Sequence, residues 1–274
     1  MKTKIVNKQK NYVILIIIAL FFLLPMYVLL STSFKSFNNV SITNMWNLPQ
    51  ELSVDGFIKA FKKLSPNLLN SLYLVIPATL ISGILGSLNG YILSKWKFKS
   101  SELIFGLILF GMFIPYQSIL LPLVNFLQSI GLYGSISGLI LVHVVYGIPI
   151  TTLIFRNYYT EIPTALIEAA KVDGANIFGI YRHIFLPISI PAFVVVIIWQ
   201  FTNIWNEFLF AVTITSRPAQ QPITVALTNL AGSQVTEWNV QMSGAIITAL
   251  PTLLVYIIFG RYFIKGLLSG SVKG

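Results

Sequence analysis

The sequence predicts an all-α membrane protein with six transmembrane helices. The 274 residues are 55% hydrophobic and only 9% charged, with a mean hydropathy of +0.80. A typical soluble domain carries about a quarter of charged residues. Apolar runs of about 20 residues, the length that crosses a bilayer as a helix, recur along the chain. Because these runs are continuous and do not alternate with polar residues, they favour helices over a barrel.

Six such runs define the predicted spans. They are residues 12–31, 69–93, 103–123, 135–155, 188–212 and 243–263. The first run follows a lysine-rich start, as a signal peptide would. It is too long for the apolar part of a signal peptide, and no small-residue cleavage site follows it, so we expect it to remain as a span.

Basic residues set the predicted direction of the spans. With the N-terminus inside, the outer segments hold only five of the 18 lysines and arginines, and the inner segments hold the other thirteen. Positive charge accumulates on the cytoplasmic side of membrane proteins. We therefore expect both termini in the cytoplasm, with a cytoplasmic N-terminus (1–11), a transmembrane domain (12–263) and a cytoplasmic tail (264–274).

Composition and motifs narrow the class of function. The net charge of +10 comes from residues that flank spans, which explains it better than nucleic-acid binding. The chain has no cysteine, so disulfides and thiol metal sites are excluded. No phosphate-binding G-x-x-x-x-G-K-[ST] string, metal-ligand spacing or nucleophile motif occurs. The sequence predicts a subunit that is no enzyme and binds no cofactor itself.

One polar stretch interrupts the apolar pattern, "EAAKVDGANIFGIYRHIFLPISIP" at 168–191, in the predicted second cytoplasmic loop. A proline suits the first turn of a helix, so a short helix begins near Pro163. Gly174 suits the position just past the end of that helix. A second helical piece, 177–185, is predicted to end before Pro187.

This loop has the chemistry of a docking surface. Leu166, Ala170 and Gly174 are four residues apart and share one helical face, where small side chains allow close approach of another protein. Glu168 and Asp173 offer carboxylates for basic side chains of a partner. The alternative is an amphipathic connector that packs on the spans of its own chain.

The spaced string "EAAKVDGAN…IFLPISIPA" resembles the EAA loop of ABC importer permeases. The resemblance implies a type I ABC importer permease fold in which the coupling loop, 157–187, seats in a cleft of an ATPase subunit. It suggests that six residues contact the ATPase: Glu168, Ala169, Ala170, Asp173, Gly174 and Ala175.

Most of the chain beyond the first span is similar to permeases of carbohydrate importers of the maltose and glucose type. The matching strings include "FIPYQSILLPL" (113–123), "IWQFTNIWNEFLF" (198–210) and "QPITVAL" (221–227), and some look closest to the glucose/mannose branch. The resemblance implies import of a monosaccharide such as glucose, mannose or galactose, or of an oligosaccharide. In the maltose type, the sugar site within the membrane lies on the other permease subunit.

The same resemblance implies the partners. The protein partners are a second, homologous permease in a heterodimer, two ATPase subunits that bind ATP and magnesium, and an extracytoplasmic sugar-binding protein. The complex lies in the lipid of a prokaryotic cell membrane, and no nucleic acid is expected as a partner. A C-terminal tail reaches between the ATPase subunits in this type. The corresponding residues are Ser269, Gly270, Ser271, Val272, Lys273 and Gly274.

Polar residues within spans indicate a path for solute, because they are costly in lipid. Gln200, Asn203 and Glu207 follow i, i+3, i+7 spacing and form one stripe in span five. Tyr116 and Gln117 follow Pro115 near the outer end of span three. These five residues are candidates for the translocation path, and hydrogen bonding within the bundle is the alternative for the stripe.

Three other classes of function stay open at this level. One is an ABC permease for a solute other than sugar. Another is an ion-coupled secondary transporter, for which only His143 and Glu207 qualify as intramembrane relays. The third is a membrane scaffold without ATPase subunits.

Overall fold

The computed structural model describes the backbone of residues 2–96, 98–231 and 237–269, and the side chains of 11–96, 98–231 and 237–260. Within these residues, regular structure is helical and contains no strand. The α-helices are α1 (Lys2–Ser33), α2 (Asp55–Lys95), α3 (Ser101–Phe110), α4 (Leu120–Ser129), α5 (Ile136–Thr160), α6 (Ala165–Val172), α7 (Ile177–Ile180), α8 (Leu186–Ile188), α9 (Ile190–Asn206), α10 (Leu209–Ile214), α11 (Ile223–Asn229) and α12 (Trp238–Ser269).

Four of the described helices are long and apolar enough to cross a membrane by themselves. They are α1, α2, α5 and α12, and each covers one predicted span. Two further spans result if each of two bent helix pairs counts as one. The all-α membrane class is confirmed, whereas the number of spans and the side of each terminus stay predictions.

The third and fifth predicted spans are broken helices. Ser101–Phe113 meets Tyr116–Ser129 at 89°, and Ile177–Ile188 meets Ile190–Asn206 at 74°. Span five breaks again after Asn206, before α10. The prediction that the second piece of the loop ends before Pro187 is wrong, because the helical piece that begins at Ile177 continues through Pro187 to Ile188.

The described residues divide into two compact units, one made of those within 1–65 and 226–249 and the other of those within 66–225 and 250–274. In the first unit, the start of α12 packs against the chain that follows α1. The Asn239 side chain donates to the Lys35 carbonyl (3.2 Å) and the Ser243 hydroxyl to the Ser33 carbonyl (3.2 Å). Near the same end, the Lys59 ammonium donates to Glu237 at 2.8 Å, and this hydrogen bond lowers the pKa of the Glu237 carboxyl.

The second unit is built on close packing of α2 against α5. A Cβ on Gly90 would come within 2.7 Å of the Arg156 backbone nitrogen, and one on Gly86 would overlap Thr151. The Thr151 hydroxyl donates to the Ser82 carbonyl of α2 at 3.0 Å. Small residues four apart therefore bring the two backbones together, as in other membrane helix pairs.

We expect Gly90→Ala to destabilise the protein by about 1–3 kcal/mol, because the added methyl group meets backbone atoms that cannot move aside. The measurement is thermal unfolding in detergent. Gly106→Ala is the control, since a Cβ at Gly106 meets nothing within 4 Å. Equal unfolding temperatures for the two variants would show that α2 and α5 do not depend on this contact.

Candidate functional site

The loop between α5 and α9 contains one helix, α6, that is buried on one side and exposed on the other. In α6, the side chains of Ile167 and Ala170 are buried, whereas Glu168, Ala169 and Asp173 are exposed. The buried pair packs in a cluster with aromatic residues of α2 and α5. The helix is therefore fixed on one side and presents two carboxylates and a small side chain on the other.

The expected outward face of Leu166, Ala170 and Gly174 needs one correction. Ala170 is only 8% exposed and belongs to the buried cluster, so its methyl group anchors the helix and is closed to a partner. Ala175 is half-buried against the same cluster. Both alternatives considered for this loop thus hold in part, because one side of α6 is a packed connector and the other side is free.

Gly174 ends α6 in a left-handed conformation, with φ +79°. Its N–H donates to the Lys171 carbonyl at 3.0 Å, and the Ala175 N–H donates to the Ala170 carbonyl at 2.9 Å. A side chain in this conformation is strained, although nothing within 4 Å would obstruct it. The sequence prediction of a glycine stop is confirmed.

Several contacts hold the loop to the ends of the long helices. Lys95 at the end of α2 donates to the Ile162 carbonyl at 2.6 Å. The Lys171 ammonium lies 4.5 Å from the centre of the Trp96 ring, a distance at which cations are attracted to aromatic faces. The Tyr91 hydroxyl donates to the Ile177 carbonyl at 3.0 Å. These contacts fasten the loop before, within and after α6.

A buried group of hydroxyls lies beneath the loop. Ser87 of α2 is hydrogen-bonded to the Tyr159 hydroxyl of α5 at 2.6 Å and to the Tyr181 hydroxyl at 3.0 Å. Tyr181 opens a π-helical turn, Tyr181–Phe185, that continues from α7. Tyr91 and Phe185 pack around these rings, with centroids 4.8 Å apart. One serine thus ties the loop to two spans; we call Ser87, Tyr159 and Tyr181 the hydroxyl node.

The loop also exposes apolar side chains that the sequence analysis did not single out. Val172 is 89% exposed, and Phe178 is 63% exposed. Leu166 and Ile177 are exposed as well. Exposed apolar side chains with polar neighbours are typical of protein–protein contacts. A period-based search misses these residues because they lie on two short helices that no single period relates.

A second feature is a cavity of about 700 Å³ along α5 and α9. It extends from Met112 and Tyr116, through His143 and Tyr146 of α5, to the break between α9 and α10. Of the five predicted path residues, Tyr116, Gln200, Asn203 and Glu207 line this cavity, and Gln117 does not. The Gln200 side chain is buried and donates to the Ser82 hydroxyl at 2.9 Å, so it also serves the bundle.

Glu207 organises the break in span five. Its carboxylate accepts the N–H groups of Phe210 (2.7 Å) and Ala211 (3.2 Å) at the start of α10. Its carbonyl accepts the Thr224 hydroxyl at 3.1 Å. Opposite it, His143 Nε2 lies 3.7 Å from Glu207 Oε2. From the sequence, His143 is a lone mid-span histidine that is expected to be a hydrogen-bonded packing residue rather than a ligand, and nothing in its spacing relates it to residue 207.

Two sequence-based predictions concern residues that are wholly or largely outside the described part of the chain. Of the tail Ser269–Gly274, only the backbone of Ser269 is described, as the end of α12. Residue Lys97, which the charge count places on the cytoplasmic side, is not described either. The proposed contact of the tail with ATPase subunits therefore stays a prediction.

Broken helices beside a cavity lined by aromatic and polar side chains, with an exposed helical loop fastened to the ends of the long helices, form the architecture of a membrane transport permease. A crystal structure of a bacterial ABC transporter involved in the import of the acidic polysaccharide alginate contains a chain with this fold. The TM-score is 0.86 at 20% identity, over 96% of this chain and 98% of the other. The fold is that of an ABC importer permease.

Sequence comparison assigns the family. Residues 82–268 match the model of the binding-protein-dependent transport system inner membrane component. A probable ABC transporter permease of Pyrococcus horikoshii is 48% identical over 96% of each chain. A xylose/arabinose import permease of Haloferax volcanii is 36% identical (95% of this chain, 92% of the relative), and a glucose import system permease of Saccharolobus solfataricus is 30% identical (98% and 97%).

The chain therefore belongs to the family of binding-protein-dependent transport system inner membrane components. It is a multi-pass subunit of a prokaryotic membrane and works within a transport complex. An ion-coupled secondary transporter and an isolated scaffold do not fit this assignment.

We expect Ser87→Ala to lower the unfolding temperature in detergent, because it removes a partner from two buried tyrosine hydroxyls at a cost of about 1–3 kcal/mol. Adding Tyr159→Phe and Tyr181→Phe to that variant should restore part of the loss, since no unsatisfied hydroxyl then remains in the node. Ser129→Ala is the control, because the exposed Ser129 hydroxyl donates to the nearby Phe126 carbonyl of the same helix. A Ser87→Ala variant as stable as this control would contradict the role of the node.

Proposed function

We propose that this chain is one of two permease subunits of an ATP-driven sugar importer and that its exposed loop couples it to an ATPase subunit. The observation that carries the coupling role is the two-sided loop. One side is buried on the hydroxyl node and the aromatic cluster, and the other side exposes Glu168, Ala169, Asp173 and Val172. A rigid body fastened to several spans transmits displacement, whereas a flexible loop does not.

The exposed side of the loop suits an ATPase surface. Its carboxylates pair with arginine or lysine, and Val172 and Phe178 add exposed apolar surface of the kind that a partner protein covers. Gly174 sets the angle between the two short helices. The ATPase subunits supply ATP and Mg²⁺ binding, and this chain contributes no catalytic residue. A second, homologous permease completes the path, and Ser269–Gly274 reach between the ATPase subunits.

Sugar is the proposed solute class because two relatives that align over nearly the whole chain are named for xylose/arabinose and for glucose import. The cavity supports this class, since its lining joins aromatic rings to amide and carboxylate groups. A binding protein on the outer face delivers the sugar. ATP binding closes the ATPase pair, the loops move with it, and the permeases turn outward to receive the sugar.

For the coupling role, we expect Glu168→Lys to reduce ATP-driven uptake by about tenfold or more, the size expected for the loss of an interface anchor. The readouts are uptake into proteoliposomes and the amount of ATPase that co-purifies with the permease. Glu161→Lys is the control, because it reverses an exposed carboxylate outside α6. Equal uptake and equal co-purification for both variants would contradict docking through α6.

Gly174→Val tests whether the angle of the loop matters beyond the backbone strain that a side chain causes at a glycine of positive φ. Gly131 has a similar φ of +71° and equally open surroundings, so Gly131→Val carries the same backbone cost outside the loop. We expect only Gly174→Val to uncouple ATP hydrolysis from uptake, which is measured as the ratio of the two rates. The same ratio in both variants would show that Gly174 is needed only for local stability and has no role in coupling.

For the solute, we expect proteoliposomes that hold the full complex and its binding protein to accumulate labelled D-glucose or D-xylose only when ATP is enclosed with the ATPase. Uptake of an amino acid or phosphate in place of either sugar would favour a permease for another solute. Uptake driven by an ion gradient without ATP would contradict the proposal.

A further inference from the structure

Two neighbouring cavities in the first unit share one lysine. Lys35 lies two residues past the end of α1 and lines both of them. The polar cavity has a volume of about 60 Å³, and its walls carry the side-chain amides of Asn39, Asn44, Asn47 and Gln50. The apolar cavity has a volume of about 180 Å³ and is bounded by α1, by the start of α12 and by side chains from 40–45.

The Lys35 ammonium is a buried cation without a counter-charge. The side chain is 3% exposed, and the only hydrogen bond of its ammonium among the described residues goes to the Asn44 carbonyl at 2.7 Å. No carboxylate belongs to the described lining of either cavity, and burial lowers the pKa of the ammonium. An ammonium has three N–H donors, so two stay available. Because a buried charge is costly unless it is paired, this position favours an anion.

Both cavities lie at the level of a membrane surface. Helix α1 is long and apolar enough to span a membrane, so its C-terminal end lies near one surface, whichever side that is. The candidate span of α12 begins at the same place, since the Asn239 side chain donates to the Lys35 carbonyl. Trp46 and Trp238 are about half exposed there, and the Tyr27 hydroxyl donates to the Trp46 carbonyl at 2.7 Å. Tryptophan and tyrosine concentrate at the level of lipid headgroups.

The apolar cavity suits a hydrocarbon chain. It reaches Val28 within the apolar run 12–31, and it meets the surface at Trp238 and at Ile42, which is 87% exposed. A dry apolar cavity of about 150 Å³ is large enough to hold benzene, so the volume of about 180 Å³ admits several methylene groups. The rest of a chain can lie along α1, whose apolar window has no buried residue.

We propose that the two cavities together hold one phospholipid, with its phosphate at the Lys35 ammonium and one hydrocarbon chain between α1 and α12. Lysine binds phosphate as a compact charge, and Asn39 and Asn47 add amide N–H donors. A phospholipid supplies both parts, whereas an apolar helix of a partner would leave the ammonium unpaired. The lipid joins the end of α1 to the start of α12. This inference depends neither on the transported solute nor on coupling to an ATPase.

The test uses the purified complete complex in detergent, stripped of lipid, with palmitoyl-oleoyl phosphatidylglycerol as the probe. Native mass spectrometry gives the affinity for the lipid. Thermal unfolding gives the rise in unfolding temperature that the lipid causes, because a ligand of the folded state stabilises it. We expect Lys35→Met to weaken binding by about tenfold or more, the size of one hydrogen bond to a charged group, and Lys35→Arg to keep most of the binding.

Lys99→Met is the control, since Lys99 is exposed and lines neither cavity. Lys35 also binds the Asn44 carbonyl, so Lys35→Met lowers the unfolding temperature even without lipid. The quantity compared is therefore the rise that lipid adds to each variant. An equal rise in Lys35→Met and Lys99→Met would overturn the proposal.

The hydrocarbon part has its own test. Val28→Trp fills the apolar cavity and leaves Lys35 in place, so we expect it to reduce the lipid-dependent rise as well. Leu24→Trp is the matched control, because Leu24 is exposed on α1 and does not line the cavity. Inorganic phosphate and the matching diacylglycerol separate the two parts of the lipid. The full rise with either one alone would show that no phospholipid is required and would overturn the proposal.

A structure of the complex in a lipid nanodisc provides an independent measurement. A phosphate beside Lys35, with a chain that runs from it past Val28, is the expected result. A side chain of another subunit seated in the apolar cavity would overturn the proposal.

Discussion

Within a bilayer, no water satisfies a backbone group that a helix break sets free, so each break needs a partner from the chain itself. Glu207 meets this requirement in span five, because its carboxylate accepts two N–H groups of α10 and its carbonyl accepts the Thr224 hydroxyl. The chain itself thus supplies partners for these freed backbone groups. Since the same residue lines the cavity, the constraint that permits the break also places a fixed carboxylate where solute would pass.

The hydroxyl node satisfies the same constraint at the other functional element. Ser87, Tyr159 and Tyr181 bury three hydroxyls and pair them with one another, so the loop is joined to α2 and α5 by directional bonds as well as by packing. The node holds the loop in one orientation on its buried side. Its exposed side is then free to carry carboxylates and apolar side chains without loss of position.

Helix α5 carries parts of both elements. His143 lines the cavity and Tyr159 belongs to the node, and their separation of 16 positions in the sequence corresponds to about 24 Å along a helix. The α2 contacts at Gly90 and Ser82 brace this helix along its length. Under the proposed coupling, α5 is the element that would carry a displacement of the loop to the cavity.

Sequence by itself determined the membrane class, the long spans and the loop, because apolar runs, charge flanks and the glycine after α6 act through local physics. It also placed Asn203 and Glu207 on one face through their spacing. It misplaced the helix end at Pro187. It also predicted that Ala170 is exposed, because the sequence does not show what packs opposite this side chain. Only the tertiary structure brought His143 to Glu207, joined Ser87 to two tyrosines and opened the cavity, since these partners lie dozens of residues apart and no period relates them.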